Sequence, residues 1–278
     1  MSIVPLDYIS DSEEGVRKSP GEVVIAAAVF DLDGTLAPLD CPIPNDVISR
    51  LNSLSDREVQ IVICSGKPVG YLGAITRQGL LKNVILIGEN GGYLQSNAGR
   101  RSLLPDGTDT TAISSIFSEI RSKICKSEMF SDRLPEFQEG TINLTVFFRN
   151  QAERKVIAVV LEDYRPAWEN FCIKYEHADS LELVPNGVSK KKAIKILAEM
   201  LGIDMENVIA IGDGENDIPM FEVAGTSIEI VDAQPRYNGK NHHVVRNIYD
   251  AMDVIDDTID EMIAIRDFGR IRAVGDIT

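Results

Sequence analysis

A chain of 278 residues that is 44% hydrophobic is long enough to bury one large core or two modest ones without cross-links. Its 43 acidic residues outnumber 28 basic ones for a formal charge of −15, which argues against a nucleic-acid or anionic-membrane surface and leaves small molecules, anions in a local cationic pocket included, as the expected partners. No stretch reaches the roughly 20 apolar residues that span a bilayer, the N-terminus lacks a basic region followed by a long apolar run, and Cys41, Cys64, Cys125 and Cys172 are spaced as reduced, partly buried thiols, so the expected location is the cytoplasm.

Residues 1–22 are polar and acidic, with Pro5, Pro20 and Gly21, the composition of a flexible leader. Residues 23–30 are apolar throughout, as in a strand covered on both faces. The run stops at Asp31, Asp33 follows two residues later, and Gly34 breaks the pattern. Val47, Ile48, Leu51 and Leu54 recur at helical spacing and predict a crossover helix. A second strand over 59–64 ends in Ser65-Gly66-Lys67-Pro68, and Pro68 suits the first turn of a helix reaching Gln78. A third strand over 84–87 runs into Gly88-Glu89-Asn90-Gly91-Gly92. Strand–loop–helix units in this order imply a parallel sheet with right-handed crossovers.

The pattern then changes. Residues 93–107 read as a hairpin or irregular connection, with turn signals at Asn97, Gly99 and Asp106-Gly107. A helix over 109–125 carries Ile113, Ile116, Phe117, Ile120 and Ile124 on one side. Residues 142–148 alternate, with Ile142, Leu144, Val146 and Phe148 opposite Asn143, Thr145 and Phe147, as in a half-exposed antiparallel strand. A helix over 152–168, its last turn disturbed by Pro166, precedes short strands at 171–175 and 181–184. Residues 93–181 are therefore expected to form an inserted α+β domain above the strand ends of a core made of 23–92 and 182–278. That core resumes with Pro185-Asn186-Gly187-Val188-Ser189-Lys190 and a helix to Leu201. A buried strand over 208–211 ends in Gly212-Asp213-Gly214-Glu215-Asn216-Asp217, edge strands follow at 227–231 and 244–245, and a last helix over 250–266 presents Met252, Ile255, Ile259, Met262 and Ile263.

Asp31 and Asp33, Ser65, Lys190, and Asp213 and Asp217 thus fall on four loops at the ends of four predicted parallel strands, where ligands of open α/β sheets bind. Carboxylates so crowded repel one another and call for a cation. Oxygen ligands without Cys or His favour Mg²⁺ over Zn²⁺. Residue by residue, plainer readings stand beside these: Ser65 as a helix N-cap, Lys190 as part of a solvated patch with Lys191 and Lys192, and Asp213 and Asp217 as an acidic first helical turn.

The set Phe30-Asp31-Leu32-Asp33-Gly34-Thr35, Cys64-Ser65-Gly66, Ser189-Lys190 and Gly212-Asp213-Gly214-Glu215-Asn216-Asp217 resembles the four motifs of the haloacid dehalogenase-like superfamily. The insertion after Gly92 resembles the α/β cap of its type IIB subgroup of phosphatases. The resemblance implies an α/β fold, a Rossmann-like parallel-sheet core with an α+β cap, and a phosphatase that hydrolyses a small phosphorylated metabolite, a sugar phosphate or phosphoglycolate-like compound. It implies Asp31 as the nucleophile, Asp33 as the proton shuttle, Ser65, Gly66 and Lys190 around the phosphoryl group, and Mg²⁺ on Asp31, the Asp33 carbonyl, Asp213 and Asp217. Asn216, Asn90 and Lys67 are further candidates; Lys67 departs from the Arg found there in many relatives. Arg133, Glu136, Gln138, Asn143, Thr145 and Arg149 surround a cap strand that could face the core, and most of them are expected at the surface. His177, His242 and His243 lie outside the motifs and are expected at the surface. Two other readings remain: a phosphomutase similar to eukaryotic phosphomannomutase, suggested by the 133–149 stretch, and a non-catalytic binding protein on the same fold. Oligomeric state is left open.

Overall fold

The computed structural model describes residues 25–39, 41–138, 140–176, 179–231 and 234–275. The expected leader, the start of the first strand and His177 lie outside them. The first half of the core comprises β1 (Ala27–Phe30), α1 (Asn45–Asp56), β2 (Gln60–Cys64), α2 (Val69–Gln78), β3 (Ile85–Gly88), β4 (Tyr93–Ser96) and β5 (Gly99–Ser102). There follow α3 (Thr110–Cys125), β6 (Glu136–Gln138), β7 (Leu144–Phe147), α4 (Gln151–Asp163), α5 (Arg165–Trp168), β8 (Cys172–Glu176) and β9 (Ser180–Pro185). The chain closes with α6 (Lys190–Leu201), β10 (Val208–Gly212), α7 (Ile218–Phe221), β11 (Thr226–Ile230), β12 (His242–Val245) and α8 (Ile248–Gly275).

The large sheet has the order β12-β11-β10-β1-β2-β3-β4-β5, parallel from β12 to β3 and antiparallel beyond. The unbroken apolar runs have a simple cause: β1 and β10 are buried on both faces. On one side Ile61, Ile63 and Ile211 pack with Leu51 of α1 and Met252, Ile255 and Ile259 of α8. On the other, Val29, Val62 and Ala210 meet Ala193, Ile194 and Leu197 of α6 and Phe221 of α7. β1 lies between β2 and β10, so chain order reverses there, and the crevice outside its C-terminal end is where such sheets bind ligands.

The small sheet is antiparallel, β6-β7-β9-β8. Its Leu144, Val146, Leu181 and Leu183 are roofed by Ile113, Phe117, Ile120 and Ile124 of α3 and Ile157, Val160 and Leu161 of α4. No helix among the described residues is long and apolar enough to cross a membrane.

Several expectations need correction. Residues 93–102, expected in the insertion, form the β4–β5 hairpin that extends the large sheet and covers the β3 edge. Residues 182–185, expected in the core, pair as β9 within the small sheet. An apolar strand of that length fits either sheet, and only its partners decide. The helix expected over 152–168 is two: α4 ends at Asp163, and Pro166, which donates no backbone hydrogen bond, stands in the first turn of α5. Strand β7 is shorter than expected and not half-exposed, because Asn143 and Thr145 on its polar side are buried beneath the large sheet's loops. Ile142, just before it, leaves the helix-facing cluster and packs with Val184 and Val188. The two sheets are tied at Glu89, which is fully buried just after β3. Its carboxylate accepts hydrogen bonds from Thr141 N (2.7 Å), Thr141 Oγ1 (2.8 Å) and Ile142 N (2.7 Å).

Candidate active site

The C-terminal ends of β1, β2, β3 and β10 bring most of the candidate residues to one mouth. Asp31 continues β1, its N–H donating to Ile211 O at 2.9 Å, and its side chain is buried. The chain then turns at Gly34, whose φ of 82° is the left-handed region; a Cβ there would also lie 2.3 Å from Asp213 Oδ2. Thr35 Oγ1 donates to Asp213 Oδ1 at 2.8 Å.

Lys190 is the first residue of α6, whose N-cap Ser189 accepts a hydrogen bond from Lys192 N. Its ammonium donates to Asp31 Oδ1 and to Asp217 Oδ1, each at 2.6 Å, and the residue is only 2% exposed. Gly91, at φ 106°, lets the turn after β3 press on this helix start; a Cβ there would meet Ser189 O at 2.5 Å. Lys191, one of the rivals in sequence, points away to an exposed pair with Glu222. The second oxygen of Asp217 accepts from Asp213 N and Gly214 N, both at 3.0 Å, so both of its oxygens are engaged. Carboxylate oxygens of Asp31, Asp213 and Asp217 all lie within 4.8 Å of one another.

Ser65 follows β2 and is buried; its N–H donates to Ile87 O, and its Oγ accepts from Lys67 N at 3.2 Å. Lys67 Nζ stands 3.5 Å from Asp33 Oδ2, at the partly exposed edge of the site. Asn90 is buried beside Ser65, its N–H donating to Ser65 O at 3.1 Å. Asn216 is exposed on its turn, outside the cluster. Of the insertion residues, Gln138 Nε2 donates to Gly66 O at 2.8 Å. Asn143 and Thr145 hydrogen-bond the carboxylate of Glu182. Arg133 pairs with Glu153, while Glu136 and Arg149 are exposed. His243 is exposed, as expected, but the His242 ring is buried, 2.9 Å from Ser227 Oγ and 3.3 Å from Glu229 Oε2, because β12 packs its inward side chain against Tyr237 and Phe221. Sequence reasoning passed over Thr35, Glu182 and the clamping role of Glu89. A lone acid inside the apolar run Ser180–Pro185 was the available signal for Glu182.

Burial pushes the Asp31 carboxyl up to about 7; Lys190 pulls against this, and the nearby carboxylates of Asp217 and Asp213 add to it. Asp213 is likewise raised by burial, opposed by its hydrogen bond from Thr35. Burial works to lower Lys190, but Asp217 and Asp31 outweigh it, so the ammonium stays charged. Cys64, behind the mouth, is pushed up to about 12 by burial and is no nucleophile. The site therefore concentrates negative charge around one ammonium, and its all-oxygen donor set fits a hard divalent cation.

A stability prediction follows from Asp31. Its carboxyl has an ordinary value of 3.8 when unfolded and about 7 in the fold, so across that interval the native state holds a proton that the unfolded chain has released. Stability from this group is present at low pH and is lost as pH rises through about 7. In metal-free protein, urea unfolding at pH 5 and pH 8 should show wild type losing on the order of a few kcal/mol more than Asp31→Asn over that span. Equal losses in the two proteins would contradict the assignment.

Residues 28–134 and 115–255 match the model of the haloacid dehalogenase-like hydrolase family. The chain belongs to this family. Within it, the chain is 24% identical over 220 residues to the phosphoglycolate phosphatase of Methanothermobacter thermautotrophicus, covering 75% of this chain and 86% of that protein. A haloacid dehalogenase-like hydrolase from Bacteroides thetaiotaomicron superposes with a TM-score of 0.64 at 18% identity, over 82% of this chain and 98% of that one. The sucrose-phosphatase of Synechocystis, solved with sucrose and phosphate, superposes with a TM-score of 0.59 at 17% identity, over 84% of this chain and 98% of that one. The fold of this chain, a mostly parallel sheet with a separate antiparallel one, is thus similar overall to those of the two solved structures.

Proposed function

We propose that the protein is a Mg²⁺-dependent phosphatase that hydrolyses a small phosphomonoester through an aspartyl-phosphate. The observation that carries this reading is Asp31: a buried carboxylate held by the Lys190 ammonium at 2.6 Å, grouped with Asp213, and followed by a second, partly exposed acid at Asp33. The names of the relatives, phosphoglycolate phosphatase and sucrose-phosphatase, support the reaction class.

In this reading the Asp31 carboxylate attacks phosphorus, the bond from phosphorus to the ester oxygen breaks, and Asp33 gives that oxygen its proton. Asp33 then takes a proton from water as the water attacks phosphorus, the bond to Asp31 breaks, and phosphate leaves. Ser65 Oγ and the backbone N–H groups beyond it hydrogen-bond the phosphoryl oxygens, and Lys190 offsets their charge while orienting Asp31. Mg²⁺, for which Asp31, Asp213 and the Asp33 carbonyl are the candidate ligands, supplies electrostatic stabilisation of the phosphoryl oxygens when bound. Asp217 holds Lys190 and the 213–214 backbone, and it would serve the metal as a further ligand, directly or through water. The small sheet with its helices serves as the cap that closes over the mouth. A cytoplasmic setting is in keeping with the four cysteines being free thiols.

The test is phosphate release from a broad panel of phosphomonoesters, with chelator and then with added Mg²⁺. Hydrolysis that is silent in chelator and restored by Mg²⁺ is expected. No release from any ester would overturn the reading, and conversion of a hexose 1-phosphate to a 6-phosphate without release would replace it with a mutase.

A further inference from the structure

Strand pairing in the small sheet sets Gln138 opposite Thr145, Thr145 opposite Glu182, and Glu182 opposite Tyr175, a single row across β6, β7, β9 and β8. Because side chains alternate along a strand, this row lies on the side away from Leu144, Val146, Leu181 and Leu183, which pack under the helices. That side meets the phosphate loop. Gln138 reaches Gly66 O at 2.8 Å, and Asn90, bonded to Ser65 O through its N–H, sends its Nδ2 to Glu182 Oε1 at 2.9 Å. The same Glu182 oxygen accepts from Thr145 Oγ1 at 3.1 Å and Asn143 Nδ2 at 3.4 Å.

Glu182 thereby orients both amides, since a carboxylate accepts only from the NH₂ end. Their opposite ends, Asn90 Oδ1 and Asn143 Oδ1, are buried without a hydrogen-bond partner. Both residues are more than nine-tenths buried, at 8% and 1% exposed. Asn90 Oδ1 faces the phosphate loop: a Cβ on Gly66 would stand 3.4 Å from it. An unmatched buried acceptor costs about 1–3 kcal/mol, which a donor arriving with a ligand removes. At the far end of the row, Tyr175 and its neighbour on the same face, Ile173, are exposed. Lys67, a cation on this side, stands 3.5 Å from Asp33.

We infer that this row is the leaving-group subsite, and that it selects a neutral, hydroxyl-bearing leaving group, a sugar or polyol, over a carboxylate-bearing one. The inference rests on the phosphatase reading. Sugar hydroxyls donate to Asn90 Oδ1 and Glu182, and the C–H face of the ring lies on Tyr175. A carboxylate brings acceptors only, to a wall of acceptors, and a charge like that of Glu182. The chain would thus part in substrate from the relative named for phosphoglycolate.

Kinetics of the full chain with Mg²⁺ decide the matter, using hexose, pentose and polyol monophosphates, 2-phosphoglycolate and p-nitrophenyl phosphate. The best sugar or polyol ester is expected to exceed 2-phosphoglycolate about 100-fold in kcat/KM. Glu182→Gln and Tyr175→Ala should each lower that ratio about tenfold, the first through the like-charge term and the second through the KM of the sugar ester. Tyr175 is exposed, so its variant decides should Glu182→Gln fail to fold. Preference for 2-phosphoglycolate, or a ratio that neither variant moves, overturns the inference alone. No hydrolysis of any ester, p-nitrophenyl phosphate included, overturns the phosphatase reading and the inference with it.

Discussion

Asp31→Asn should lower kcat by about 10⁴-fold or more while leaving the fold intact and, without metal, no less stable. The carboxamide keeps the shape of the side chain but lacks the charged oxygen that would form the bond to phosphorus. Lys190 is not orphaned by the change, since it retains Asp217 at 2.6 Å. Wild-type Asp31 is raised chiefly because it is buried, so a neutral group there removes a desolvation cost that outweighs the attraction of Lys190 lost with it. Mg²⁺ should divide the two proteins further. A ligand at 100 times its Kd stabilises by about 2.7 kcal/mol, and the variant, short of one carboxylate ligand, should gain much less. Thermal unfolding with chelator and with Mg²⁺, beside single-turnover phosphate release, measures all three effects. Full activity in Asp31→Asn would refute the mechanism, and a large loss of stability in chelator would show that the carboxylate is a structural anchor instead.

The parts of this site that could be read in sequence are those where burial imposes a continuous pattern. Val29 and Phe30, Ile61 to Cys64 and Val208 to Ile211 are covered by helices on both sides, and their unbroken apolar runs mark where strands end and where Asp31, Ser65 and Asp213 begin. What remained ambiguous depends on partners distant along the chain. Glu89 is bound by Thr141 and Ile142, some 50 residues later, and neither segment alone announces the other. The polar side of β7 looked solvated, because alternation separates two faces without saying what covers the second. The covering groups are Asn90 and Glu182, from a loop of the large sheet and from a strand whose apolar run fits the core equally well. Among the three consecutive lysines the selection is made by the N-cap at Ser189, which sets the rotation of α6 and sends Lys190 inward and Lys191 to solvent.

That selection makes Lys190→Met more destabilising than any other single substitution proposed for this site. Met matches the stem in length and apolar character, so the variant removes the ammonium and little else. Asp31 Oδ1 and Asp217 Oδ1, each 2.6 Å from that ammonium, would be left buried with no counter-charge beside Asp213. Breaking a buried pair by removing one partner costs about 3–5 kcal/mol. Lys191→Met is the matched control: its pair with Glu222 is exposed, and pairs of that kind contribute about 0–1 kcal/mol. Acid should partly rescue Lys190→Met, because protonating the stranded carboxylates removes their repulsion, so its stability should rise as pH falls from 8 to 5 more than wild type does. Mg²⁺ should restore part of the stability, since a cation in the cluster replaces the missing charge. Activity should stay about 10²- to 10³-fold down even then, because the orienting contact to Asp31 and the positive charge facing the phosphoryl oxygens are both gone. Urea unfolding of the two variants at both pH values, with and without Mg²⁺, separates these contributions. Equal destabilisation by Lys190→Met and Lys191→Met would mean that the buried carboxylates carry no net charge, and the electrostatic account of the site would fail with it.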